Sequence, residues 1–196
     1  MAVNSTSGRR SCLVVLPSCK EGVSAQSFIQ CFTLTHSAFT VQLATPGGKT
    51  PEFINQDDQS RRWLNDFRTK PFAVPLSLEI IDPNRYTSLV IPHAPGAAVD
   101  LANNKDLGHI ILQFIRDKKL ICAIGLGVAG LLSAQVEENS SWGLKTYSLT
   151  GKLLRLQFSR KKSIRSIGKR HTQLQSVVHV MSWKENRTAF GTGQLD

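Results

Sequence analysis

Long apolar runs are missing from this chain. No stretch reaches the roughly 20 apolar residues that cross a bilayer. The longest candidate, "LICAIGLGVAGLLSA" at 120–134, is broken by Gly125, Gly127 and Gly130. No membrane insertion is expected. After "GRR" the apolar run Cys12–Pro17 is too short for a secretory leader, so the sequons at Asn4, Asn139 and Asn186 carry little weight. Cysteine is sparse and scattered. Cys12, Cys19, Cys31 and Cys122 form no C-x-x-C pair, which excludes a zinc knuckle and a secreted disulfide framework and points to a reducing compartment. His36, His109, His171 and His179 show no metal-ligand spacing, and no metal is expected. Acid is scarce as well: 14 Asp and Glu stand against 24 Lys and Arg, and none lies between Asn139 and Lys184.

The resulting charge of +10 is unevenly placed. Residues 152–196 hold ten Lys and Arg against two acids, whereas residues 1–151 hold fourteen against twelve. Basicity belongs to the tail, and any electrostatic attraction to nucleic acid is a property of that tail.

Across the 196 residues strand and helix signals alternate. "CLVVL" at 12–16, closed by Pro17, reads as a buried strand. Ser24 or Gly22 caps a helix over Ala25–Ala38, where Ala25, Phe28, Cys31 and Phe32 recur at three and four residues. "FTVQLATPGG" is a strand ending in a turn. "SRRWLNDFR" gathers Trp63, Leu64 and Phe67 on one helical face, and "LSLEIID" reads as an edge strand. "YTSLVIPHAPGA" is strand then loop. "DLGHIILQFIRDKK" is an amphipathic helix, with His109 flanking its apolar stripe. "LICAIG" is a buried strand, "VAGLLSA" opens a helix, "LKTYSLTG" is strand and turn, and 177–181 is a late strand. The alternation predicts an α/β fold: a doubly wound, mostly parallel sheet with helices on both faces.

Gly125, Gly127 and Gly130 spell G-x-G-x-x-G between a strand and a helix. That pattern cradles a dinucleotide only with an acid about 20 residues on, for the ribose hydroxyl. The acid-free stretch denies it that partner, so no cofactor is expected. A second chemistry uses the same strand-to-helix turn: a nucleophile at the apex, with small residues two positions to either side. Ala123 and Gly127 supply the small flanks, but the apex is Gly125, followed by Leu126. Cys122 lies three residues early, within the strand, where a thiol reads as buried, protonated and inert.

Several motifs together resemble the superfamily of PfpI-type proteases, Parkinsonism-associated deglycase and class I glutamine amidotransferases. They are "EGVSAQSF" (21–28), "VQLATPGGK" (41–49), "RWLNDFR" (62–68), "IPHAPGAAVDLA" (91–102), "ICAIGLGVAGL" (121–131) and "YSLTG" (147–151). The resemblance covers about residues 11–151 and implies a flavodoxin-like fold. It places the superfamily's nucleophile at Gly125, its following histidine at Leu126, and the acid of its first loop at Val23, two residues from Glu21. All three roles are vacant, so the resemblance implies a pseudoenzyme. It also implies a scaffold role with protein partners in an early-endosomal, cytoplasmic assembly, the FERRY complex, which links endosomes to mRNA and ribosomes. RNA contact there lies mainly on the partners, and self-association into a homo-oligomer is a further expectation.

Two rival readings stay open. Cys19, Glu21 and His93 should all emerge at the C-terminal edge of the sheet, where doubly wound folds bind ligands. With Cys122 they form a vestigial pocket, and a residual cysteine-dependent hydrolase or glyoxalase-like activity would use Cys19 or Cys122. The tail carries Arg160, Lys161, Lys162, Arg165, Lys169 and Arg170, a cluster suited to phosphate contact. The expected organisation is a flexible N-terminus at 1–10, the PfpI-like domain at 11–151, and a divergent basic tail at 152–196. The tail replaces the elements that close the domain in the superfamily, which predicts exposed apolar surface and an uncovered sheet edge.

Overall fold

The computed structural model describes residues 10–136, 141–145, 147 and 178–181, the last four through their backbone. Six strands form the central sheet: β1 (Ser11–Val15), β3 (Thr40–Thr45), β5 (Leu76–Ser77), β6 (Ser88–Ile91), β7 (Leu120–Ile124) and β10 (Val178–Met181). Two small pairs flank it, β2 (Val23–Ser24) with β4 (Phe53–Ile54) and β8 (Gln135–Val136) with β9 (Ser141–Trp142). The helices are α1 (Ala25–Ala38), α2 (Asp58–Arg68) and α3 (Lys105–Arg116). None of the described helices is long and apolar enough to cross a membrane.

The sheet order is β10-β7-β6-β1-β3-β5, parallel throughout except at β10. β1 is central because it can be: Cys12 to Leu16 are fully buried, as a strand covered on both faces requires. From β1 the chain winds to β3 and β5 on one side, then returns to β6 and β7 on the other. Parallel crossovers are right-handed, so these two opposite directions place α1 and α3 on opposite faces. The point where the winding reverses lies between β1 and β6, and there the loops after the two strands diverge.

Local signals account for the helices. Ser24 caps α1 by accepting from the Ser27 amide, and the predicted Ala25, Phe28, Cys31 and Phe32 are its buried face. α2 starts at Asp58, two residues before the predicted start, because Asp57 and Ser60 make a reciprocal capping box. α3 buries Leu107, Gly108, Ile110, Ile111 and Phe114 and leaves His109 exposed beside that stripe.

The structure corrects four expectations. Of "LSLEIID" only Leu76–Ser77 is strand, at the sheet edge; Leu78–Ile80 is a 3-10 turn, since Leu78 and Ile81, three apart, both face the core. The segment Gly125–Ser133 is one 3-10 helix rather than the start of an α-helix. Gly127 to Leu131 are all buried, while Gly125 at its start stays exposed. Leu144 and Lys145 form a turn, not a strand, because the Gly143 amide donates to Ala134 O and ends the β8–β9 hairpin. The β7 edge is covered: the late strand expected at 177–181 is β10, which pairs antiparallel with it, Val178 opposite Ile124 and Met181 opposite Ile121.

Candidate functional site

Three loops converge at the C-terminal edge of the sheet: Leu16–Gly22 after β1, Pro92–Gly96 after β6, and the elbow at Gly125 after β7. Asp100 joins the first two. It sits in a π-turn over Ala97–Leu101, and its Oδ2 accepts from Ser18 N at 2.7 Å, Cys19 N at 3.0 Å and Ser18 Oγ at 3.2 Å. Oδ1 is buried without a partner among the described residues. Hydrogen bonds to an ionised acceptor are about twice as strong as neutral ones, so Asp100 is the main clasp between the two loops. Backbone bonds from Gly22 N to Cys19 O and from Gly96 N to Gly22 O complete the tie.

Cys19 is half-buried at this junction, and its thiol donates to Gly96 O at 3.4 Å. Burial first, then the Asp100 carboxylate and Glu21 beside it, together push the thiol up to about 11. An acid next to a thiol opposes thiolate formation, the reverse of what nucleophilic catalysis needs. Replacing Asp100 by Asn keeps a carbonyl oxygen for the Ser18 and Cys19 amides and removes the charge. The pH midpoint of Cys19 alkylation is therefore expected to fall on Asp100→Asn, while burial still holds it above the ordinary ~8.5. An unmoved midpoint would show that the carboxylate has no hold on the thiol.

His93 is placed by its own backbone. Its amide donates to Ser27 Oγ at 3.0 Å and its carbonyl accepts from Ser24 N at 3.1 Å, so the start of α1 pins it from both sides. Burial keeps the imidazole below its usual range, hence neutral. Nδ1 accepts from the Leu126 amide at 3.0 Å, so the ring proton sits on Nε2. Gly125 has φ +52°, the left-handed turn of a nucleophile elbow, and is exposed at its apex. Gly127 must be small: a Cβ there would overlap Pro92 O and lie 2.6 Å from Ile91 O. Gly125 thus supplies the turn and Gly127 the close approach of elbow to strand.

Glu21 lies beside Cys19, and His93 shares their edge of the sheet. Its Nδ1 is committed to Leu126, however, and the Cys19 thiol to Gly96 O. Cys122 lies in β7, half-buried, its thiol raised by burial. Arg160, Lys161, Lys162, Arg165, Lys169 and Arg170 lie outside the described residues. Among the described residues no cluster of His, Cys, Asp and Glu is arranged to hold a metal ion. Sequence reasoning missed Asp100 and Ser18, which meet across 82 positions. The one available signal was a single acid closing the apolar run "PGAAVDLA".

Over 151 residues the chain is 48% identical to glutamine amidotransferase-like class 1 domain-containing protein 1 of Bos taurus, covering 77% of this chain and 68% of that protein. The chain belongs to this family. The Homo sapiens member matches with the same identity and coverage. That of Xenopus laevis is 50% identical over 141 residues, 72% of this chain and 61% of its own length. No family model matches. Among solved structures the fold matches Rapid Encystment Protein 24 KDa of Francisella tularensis, with TM-score 0.54 at 18% identity over 66% of this chain and 64% of that one. It also matches glyoxalase III of Candida albicans, with TM-score 0.55 at 17% identity over 68% of this chain and 64% of that one. The chain spans just under two thirds of each of these two structures. The chain thus shares the flavodoxin-like fold of these two structures, a mostly parallel sheet with helices on both faces.

Proposed function

We propose that this chain is a non-catalytic, PfpI-like scaffold protein. The observation that carries the reading is Gly125: the elbow keeps its left-handed turn and its small flank at Gly127, but its apex has no side chain to attack with. The thiols support it. Burial first of all pushes Cys12, Cys19 and Cys31 up to about 11 and raises Cys122 in the same direction, whereas nucleophilic thiols are lowered. Family membership supports the finer proposal that the scaffold serves a cytoplasmic, early-endosomal assembly, the FERRY complex. There it would connect endosomes to mRNA and ribosomes through protein partners, with RNA held mainly by those partners.

The test is alkylation of the folded protein against pH, with each cysteine mapped by mass spectrometry. All four thiols are expected to react slowly below pH 9 and to become fast only on unfolding. A fast, low-pKa Cys19 or Cys122 would instead establish the residual cysteine enzyme. RNA binding that falls steeply with salt and vanishes on deletion of residues 152–196 would establish the tail-driven binder.

A further inference from the structure

We infer that His93 is a built-in occupant of the vacated nucleophile position, so that positions 93 and 125 form one steric unit. The inference deepens the non-catalytic reading and rests on it. A Cβ built on Gly125 overlaps His93 Nδ1, and comes within 3.1 Å of its Cγ and 3.3 Å of its Cβ. The ring thus stands where a side chain at the apex would have to stand. It also takes the hydrogen bond of that position. At an elbow, the amide of the residue after the nucleophile steadies the negative oxygen that develops on a carbonyl substrate. Here that amide is Leu126 N–H, and Nδ1 accepts it at 3.0 Å.

The ring cannot simply back away. Both backbone polar groups of His93 are fixed at the start of α1, by Ser27 Oγ and Ser24 N. On the other side, Gly127 presses against the carbonyls of Ile91 and Pro92, which holds the elbow itself in place. An apex side chain must therefore displace the imidazole from Leu126 or push the two loops apart. The consequence is that acyl chemistry at the elbow is blocked twice over, by the absence of a nucleophile and by an internal acceptor on the amide that a developing oxyanion needs.

The experiment is a double-mutant cycle on the full chain: wild type, His93→Ala, Gly125→Cys, and both together. Melting temperature and iodoacetamide alkylation of the introduced thiol are read; in that alkylation sulfur bonds to carbon as iodide leaves. Gly125→Cys alone is expected to lower Tm sharply. In the His93→Ala background the same change is expected to lower it by at least about 4 °C less, at the few degrees per kcal/mol typical of this chain length. The introduced thiol is expected to alkylate at least about tenfold faster in the double variant, since the apex is exposed and the Leu126 amide is free to stabilise a thiolate. Should the double variant fail to fold, Gly125→Ala adds only the Cβ and repeats the cycle under less strain. Equal Tm losses for Gly125→Cys, or for Gly125→Ala, with and without His93 overturn the pairing. A fast thiol in the wild-type protein sinks the non-catalytic reading and leaves the cycle untouched.

Discussion

Phe28→Ala is expected to destabilise the protein by about 3–5 kcal/mol, the range for removing a buried aromatic ring. Phe28 is fully buried on α1. Its ring centroid lies 4.8 Å from Phe53, 5.2 Å from Phe67, 5.7 Å from Phe32 and 6.2 Å from Trp63. These rings come from α1, α2 and the β4 strand, so one side chain joins three elements. The contacts with Phe67 and Trp63 are edge-on, which adds to simple burial. A cavity there cannot collapse, because the surrounding rings are held by one another. Ordinary domains are stable by about 5–15 kcal/mol, so the variant loses a large share of the total. Urea unfolding with an unchanged m-value measures it. Leu34→Ala is the control: Leu34 is on the same helix but 74% exposed, and its loss should stay within about 0.5 kcal/mol. Similar midpoints for the two variants would refute the cluster's role.

Gly127→Ala is the second large effect, expected at about 3 kcal/mol or more, the upper end for forcing one carbon into a packed site. The added methyl overlaps Pro92 O and lies 2.6 Å from Ile91 O. Both are backbone atoms at the end of β6, so no rotamer change relieves the contact; strand and elbow must separate. Gly130 offers a comparison within the same motif. A Cβ there meets the far end of the Ile91 side chain at 3.0 Å and Leu107 Cδ2 at 3.4 Å, which a small rotation of each can accommodate. Thermal unfolding should place Gly127→Ala well below Gly130→Ala, by roughly 5 °C or more at this chain length. Equal Tm values would mean that the close approach at Gly127 is not what fixes the elbow.

How far the sequence reveals this structure depends on how local each cause is. α1 is legible to the residue because its cap, Ser24, and its stripe, Ala25 to Phe32, lie within nine positions. The buried β1 strand and the alternation that implies a doubly wound sheet are legible for the same reason; β7 is a strand as its apolar run predicts, but Leu120 is exposed and Cys122 and Ile124 are half-buried. The 3-10 geometry of 125–133 is not, since "VAGLLSA" reads as the opening of an ordinary helix and nothing within it marks the tighter turn. The candidate site divides in the same way. The vacancy at Gly125 follows from a five-residue pattern. The filling of that vacancy by His93 needs a contact across 33 positions, and the Asp100 clasp needs one across 82. No periodicity encodes such meetings; they arise from which strands lie side by side in the sheet, β6 beside β7 for His93 and β1 beside β6 for Asp100.

The central place of β1 has a consequence for biosynthesis. Its first neighbour, β3, is only 29 positions further on, with Ser11 opposite Thr40, but its second, β6, pairs Cys12 with Ser88, 76 positions later. At about 5–20 residues per second, a ribosome needs about 4–15 s to supply that second partner. Throughout that interval a strand destined for complete burial has at least one open flank, and the Asp100 that will clasp its loop has not been made. The step that commits this chain to its native form follows the synthesis of β6 and Asp100, and until then a chaperone or the tunnel wall is the natural cover for Cys12 to Leu16.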